Sequence, residues 1–202
     1  MRKDEGVTRP ISYGPLTSDD GELRLCADQN GKRALELGIS EAMNALALAE
    51  QGAKAIAIDP DPMRIARTRE AAEAAGLRVE CHEGDLADLG WATSASIDLV
   101  VAAGTLAAVD DVSRVLRQVH RVLKPEAPLV ISTKHPASVL VGGISWEPAR
   151  RYGNGVRGIG DWYMLLYRAN FRIDSLQELF ATDQPHDTAP ATLMIRARKL
   201  GV

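Results

Sequence analysis

Residues 33–72, RALELGISEAMNALALAEQGAKAIAIDPDPMRIARTREAA, hold the pattern that decides the fold. RALEL (33–37) is a short apolar run followed by a turn at Gly38. A helical pattern from Glu41 to Gln51 comes next and stops at Gly52, since glycine reaches the left-handed conformation that commonly ends a helix. KAIAID (54–59) reads as a second strand. Asp61-Pro62 then opens a second helix, because aspartate accepts from free N–H groups of the first turn and proline there forfeits no helical bond. That helix runs to about Ala75 and ends at Gly76.

Downstream the alternation continues. RVEC (78–81) is a short third strand, and IDLVVA (97–102) is a fourth, apolar enough to be covered on both faces. VSRVLRQVHRVL (112–123) sets Val112, Val115, Leu116, Val119 and Leu123 on one helical face. Lys124-Pro125 ends it, and PLVIST (128–133) is the fifth strand. This order predicts an α/β fold with a parallel sheet and right-handed crossovers. Residues 141–160 carry Gly, Arg and aromatics without a period and read as a long loop. A helix over 161–169 is expected to precede strands 171–179 and 191–199, joined without a helix and therefore antiparallel. Upstream, Ser18 to Asp28 is a short helix candidate capped by Ser18 and Asp19.

The 202 residues, 46% hydrophobic, suffice for one compact domain over 1–202, with 1–32 as an N-terminal cap and 141–160 as a loop beside the ligand. A net charge of −3 argues against nucleic acid as a partner. The basic groups Arg150, Arg151, Arg157 and Arg196, Arg198, Lys199 are read as solvated loop and strand-edge charges. Cys26 and Cys81 have no metal-ligand spacing and read as buried or half-buried thiols of a reducing compartment. No apolar stretch approaches the roughly 20 residues of a membrane span, and no apolar segment comes after the basic N-terminal residues, so a cytoplasmic protein is expected.

In an open parallel sheet, ligands lie beyond the carboxyl ends of the strands, where strand order reverses. Those ends here carry Glu36-Leu37-Gly38-Ile39-Ser40-Glu41-Ala42, Asp59, Gly84-Asp85-Leu86 and Ala102-Ala103-Gly104-Thr105. A turn without a β-carbon at Gly38 lets a nucleoside approach the main chain. A carboxylate at Asp59 can accept from both hydroxyls of a ribose, and one at Asp85 can accept from an exocyclic adenine amine. Asp59 alone would also suit a helix cap, so the weight rests on several acidic residues at successive strand ends.

Residues 33–133 resemble the core of a class I S-adenosylmethionine-dependent methyltransferase of the group acting on small molecules. Residues 33–72 are similar to that family's first motif, helix and second strand. HEGDLADLGWATSASIDLVVAAGTLAAVDDVSRVLRQVHRVLKPEAPLVIST (82–133) is similar to the next part of the family's core, through its fifth strand. GDW..LL..ANFRI near Asp161 and PATLMIRARK at the end resemble its last helix and terminal hairpin. The resemblance implies a Rossmann-like, mostly parallel seven-stranded sheet with helices on both faces and an antiparallel C-terminal strand. It implies S-adenosylmethionine as cofactor, with Glu36 and Gly38 by its methionine part and Asp59 on the ribose. Pro60 would lie beside the adenine, Asp85 and Leu86 at the adenine, and the backbone of Ala102 and Ala103 along the far side. The family's Gly-x-Gly-x-Gly loop has Ser40 and Ala42 at its second and third glycines here, and Ser40 is expected beside the cofactor.

Methyl transfer is an in-line displacement in which the cofactor carries the reactive group. The protein holds donor and acceptor in line and in some cases removes a proton. His135, two residues past the fifth strand, is the expected base, and a histidine merely bonded within its loop is the alternative. Tyr13, Trp146 and Tyr152 are, with His135, the expected acceptor-side residues, since aromatic faces suit a flat or cationic acceptor. Trp162 and Tyr167 are expected in the core. No histidine pair has metal-site spacing, so no metal is expected. Two competitors remain: a degenerate fold acting as a non-catalytic binding protein, and an NAD(P)-dependent oxidoreductase. The second lacks the Gly-x-Gly-x-x-Gly turn a pyrophosphate needs. The sequence names neither an acceptor nor an oligomeric state.

Overall fold

All five residues of Leu99–Ala103 are buried, as a strand covered on both faces requires. In the computed structural model, which describes residues 8–140, 155–183 and 189–201, this is the fourth strand of a seven-stranded sheet. The strands are β1 (Arg33–Leu37), β2 (Lys54–Asp59), β3 (Val79–Glu83), β4 (Leu99–Ala103), β5 (Pro128–Lys134), β6 (Phe171–Leu179) and β7 (Thr192–Lys199). Their order is β3-β2-β1-β4-β5-β7-β6, with β1 to β5 mutually parallel and β7 antiparallel to both neighbours. The helices are α1 (Asp20–Leu23), α2 (Asn44–Glu50), α3 (Pro62–Ala74), α4 (Val112–Val122) and α5 (Ile159–Arg168). Among the described residues, no helix is long and apolar enough to cross a membrane.

Alternation along the strands divides the core between two faces. Val100 and Ala102 pack with Val115, Leu116 and Val119 of α4 and with Trp162 and Leu166 of α5. Leu99, Val101 and Ala103 face Ala47 and Leu48 of α2 together with Ile11 and Tyr13 of the N-terminal segment. Ile65 of α3 packs on Ala57 and Ala45 beside them. Helices therefore cover both faces.

Several expected boundaries move. The helix expected over 18–28 shrinks to α1, because Arg24 turns left-handed at φ 51° and the Asp20 carboxylate takes the amides of Leu25 and Cys26 at 2.6 and 3.1 Å. The helix expected from Glu41 begins three residues later, at Asn44, with Met43 left-handed before it. Ile97 leaves β4 and forms an isolated bridge to Leu123. In α5, Trp162 is buried as expected, whereas Tyr167 is 64% exposed and stacks on Tyr163 one turn away.

The basic residues near β7 are not solvated edge charges. A register shift in β6 between Ile173 and Ser175 frees Asp174, whose carboxylate takes Arg196 Nε at 2.8 Å and Arg198 Nε at 2.5 Å. Burial pushes the Asp174 carboxyl up, but these two guanidiniums outweigh it and hold it below the usual range. Lys199 is buried and donates to the carbonyl of Leu123. Arg157 donates to the carbonyls of Leu106 and Val109, pinning the turn after β4. Arg150 and Arg151 lie outside the described residues.

Candidate functional site

Strand order reverses between β1 and β4, and a cleft of about 940 Å³ opens there at the carboxyl ends of the strands. Gly38 leaves β1 with φ +75°, and its amide donates to the carbonyl of Ile58. Thr105 wedges against it from the turn after β4 and donates its hydroxyl to the carbonyl of Leu37 at 2.5 Å. A β-carbon at Gly38 would stand 2.5 Å from that of Thr105, so this turn admits only glycine.

Behind the turn lies Glu36, fully buried. Its carboxylate accepts from the amide and hydroxyl of Ser40 at 3.0 and 2.8 Å and from the amide of Ala45 at 2.7 Å. Burial pushes this carboxyl up, and the hydrogen bonds only partly oppose that. Glu36 thus caps α2 from the neighbouring strand in place of Met43, which has no side chain able to do so. That remote cap explains why α2 starts at Asn44. It also explains Ser40: its hydroxyl ties the turn to Glu36, and neither Ser40 nor Ala42 has positive φ.

Asp59, at the end of β2, is 4% exposed. One oxygen accepts the amide of Ile39 at 2.7 Å and the other that of Asp61 at 2.8 Å. Arg64 of α3 reaches back to the carbonyl of Ile39 at 2.8 Å, with Nη1 3.8 Å from Asp59. Asp85, two residues past β3, also lines the cleft, one oxygen accepting from the amide of Ala87 and the other from Arg114 Nη1 at 3.2 Å.

Of the expected cofactor residues, Gly38, Ser40, Asp59, Pro60, Asp85, Leu86 and Ala103 line this cleft together. Glu36 stands behind its wall as the organiser of the turn. Ala102 points into the opposite core, because successive strand residues alternate faces. Thr105 also lines the cleft, at the end of β4 where the strand-end rule puts it, whereas Arg64 and Arg114 line it without any local signal in the sequence: only the fold brings them there.

Residues 35–131 match a family model described as a methyltransferase domain. Residues 35–131 thus carry a methyltransferase domain of the class I S-adenosylmethionine-dependent type. The chain is 31% identical to a ubiquinone biosynthesis O-methyltransferase of Azorhizobium caulinodans over 154 residues, which are 71% of this chain and 58% of the relative. The chain thus spans 58% of the length of that relative. Among solved structures, it is similar to an S-adenosylmethionine-dependent methyltransferase from Mesorhizobium loti at TM-score 0.74 and 25% identity, covering 88% of this chain and 95% of that one. A methyltransferase from Aquifex aeolicus shares the fold at TM-score 0.71 and 17% identity, covering 92% and 91%.

The structure corrects two of the acceptor-side expectations, Tyr13 and His135. Tyr13 does not reach the cleft: it is buried on the α2 face, with its hydroxyl 2.7 Å from Asp20 and 3.2 Å from Cys26 Sγ. Burial and the neighbouring Asp20 and Cys26 raise its phenol far above the ordinary value. His135 is also buried, at 2% exposure. Its Nδ1 accepts the amide of Ala137, so Nε2 carries the proton donated to Glu178 at 2.8 Å. Neither nitrogen is free to take a proton from an acceptor. Trp146 and Tyr152 lie outside the described residues.

Proposed function

We propose that this methyltransferase moves a methyl group from S-adenosylmethionine to a small-molecule acceptor. Asp59 carries the reading. Two backbone amides orient its carboxylate, which has about four acceptor positions, so it keeps room for the two hydroxyls of a ribose beside the Gly38 turn. The cleft's charge agrees. Six carboxylates line it (Glu41, Asp59, Asp61, Asp85, Asp110 and Asp111) against two guanidiniums, Arg64 and Arg114. Such a lining favours a cofactor with a sulfonium and an ammonium and disfavours a pyrophosphate. The oxidoreductase reading loses support on that ground. The non-catalytic reading, which rests on Ser40 and Ala42 and on Ala107-Ala108 where the family often has paired histidines, loses the first of these supports because Ser40 and Ala42 fit the turn without left-handed strain.

When bound, S-adenosylmethionine supplies an electrophilic methyl on a sulfonium. In this reading Asp59 accepts from the ribose, and Asp85 with Leu86 receives the adenine. Glu36 and Ser40 hold the turn that carries Gly38 in one position, a preorganisation that keeps the donor oriented. The Azorhizobium relative is named an O-methyltransferase, which makes a hydroxyl the first acceptor atom to assay. The pairing of Arg196 and Arg198 with Asp174 supports a protein without a nucleic-acid face, and the free thiols Cys26 and Cys81 are in keeping with a cytoplasmic setting.

Thermal shift with S-adenosylmethionine, S-adenosylhomocysteine and NAD tests the reading. A ligand at a hundred times its Kd adds about 2.7 kcal/mol to the native state. Stabilisation by the two sulfur compounds and its loss in Asp59→Ala is expected. Stabilisation by NAD alone, or by none, would overturn it.

A further inference from the structure

Asp85 and Arg114, both lining the cleft, are joined by an ion pair at 3.2 Å, with side chains 57% and 56% exposed. A pair this exposed contributes little to stability. Each partner is nevertheless held in place. The amide of Ala87 fixes the other Asp85 oxygen at 2.8 Å, and Asp111, capping α4, accepts the Arg114 amide at 2.9 Å. A guanidinium has five N–H groups, and among the described residues Asp85 is the one hydrogen-bonding partner of this one. Leu86 and Val115 supply apolar wall beside them.

The pair therefore presents an acceptor and a donor side by side at one end of the cleft. The edge of adenine presents the complement, an amine donor next to a ring-nitrogen acceptor. A side-chain amide reads adenine by the same juxtaposition. We propose that Arg114 is a specificity-determining residue for the cofactor, donating to a ring nitrogen that flanks the adenine amine while Asp85 accepts from the amine. The inference rests on the cofactor reading above and adds to it a second reader, supplied by α4 and not by the strand ends.

The test is a double-mutant cycle between protein and ligand. Isothermal titration of wild type, Arg114→Ala and Arg114→Lys uses S-adenosylhomocysteine and its 1-deaza and 7-deaza analogues, each with one ring nitrogen replaced by CH. Removing Arg114 should weaken S-adenosylhomocysteine by about tenfold, the order of a good base-edge contact. One deaza analogue should bind wild type about tenfold more weakly than the parent and lose that handicap in Arg114→Ala. Arg114→Lys keeps the charge without the fork and should fall between. Unfolding midpoints of both variants should match wild type, as the exposure of the pair implies. Equal deaza handicaps in wild type and Arg114→Ala, or an unchanged affinity in Arg114→Ala, would overturn the assignment. If wild type itself fails to bind S-adenosylhomocysteine, the cofactor reading falls and takes this one with it.

Discussion

Thr105 occupies the space that a side chain at Gly38 would need: a β-carbon there would lie 2.5 Å from Thr105 Cβ and 2.8 Å from its methyl. The contact locks the turn after β1 to the turn after β4, the two lips of the cleft. Gly38→Ala must both enter a left-handed conformation and displace a packed threonine. Each effect is on the order of 1–3 kcal/mol. Gly104 is the control: its φ is also +75°, but nothing stands within 4 Å of a β-carbon there. Urea unfolding should show Gly38→Ala losing clearly more stability than Gly104→Ala, with the response to S-adenosylhomocysteine abolished only in the first. Equal losses would mean that the wedge is unimportant.

Glu36 should show itself in pH dependence. Burial raises its carboxyl above the ordinary 4.5, so the folded state holds that proton more tightly than the unfolded state. The stability it contributes is complete below about pH 4.5 and declines as pH rises toward the raised folded-state value. Glu36→Gln cannot ionise, but its amide nitrogen cannot accept from Ala45. At low pH the variant should be the less stable by roughly 1–3 kcal/mol, the penalty of an unmatched buried polar group. The gap should narrow as pH rises, read as the difference in Tm across pH 4 to 8. A gap that widened over the same range would reverse the sign and refute the account.

The alternation of strands and helices was legible because it rests on local chemistry: the apolar runs of β1, β2, β4 and β5, the Asp61-Pro62 start of α3, the Gly52 stop. The carboxylates at strand ends were legible for the same reason, since topology alone places Asp59 and Asp85 at the cleft. What escaped depends on contacts distant in sequence. The cap of α2 comes from Glu36, nine residues before Ala45 and on another element. The burial of Tyr13 depends on the N-terminal segment lying against α2 and β4. Arg114 meets Asp85 across 29 residues, and nothing in the spacing of either announces it.

Acid should loosen the β5, β6 and β7 end of the sheet through Asp174. Its carboxyl is held below the ordinary 3.8 by Arg196 and Arg198 against the opposing effect of burial. The stability it contributes is present above about pH 3.8 and is lost as pH falls through the lowered folded value. Asp98, which takes Lys124 Nζ at 2.6 Å and the amide of Arg33 at 3.0 Å, is shifted the same way. Asp174→Asn should flatten the acid limb of the stability curve and lower the plateau at neutral pH. An acid limb identical to that of wild type would exclude Asp174 as a contributor.

His135 joins β5 to the neighbouring hairpin. Its ring accepts from Ala137 and donates to Glu178 of β6, while its amide donates to the carbonyl of Ala191 before β7. With both nitrogens engaged and 2% of the residue exposed, the ring is suited to holding β5 and β6 in place and not to exchanging protons with an acceptor. His135→Ala leaves the Ala137 amide without its partner and opens a space, so a loss of roughly 1–3 kcal/mol is expected. Glu178→Gln, at a half-exposed position, should lose less than about 1 kcal/mol. Methyl transfer by His135→Ala, corrected for the fraction folded, should match wild type and keep the same pH profile. If the corrected rate instead falls at least a hundredfold, about the least that general-base catalysis contributes, with Tm unchanged and the profile altered, His135 takes part in proton transfer and its bond to Glu178 must open during turnover.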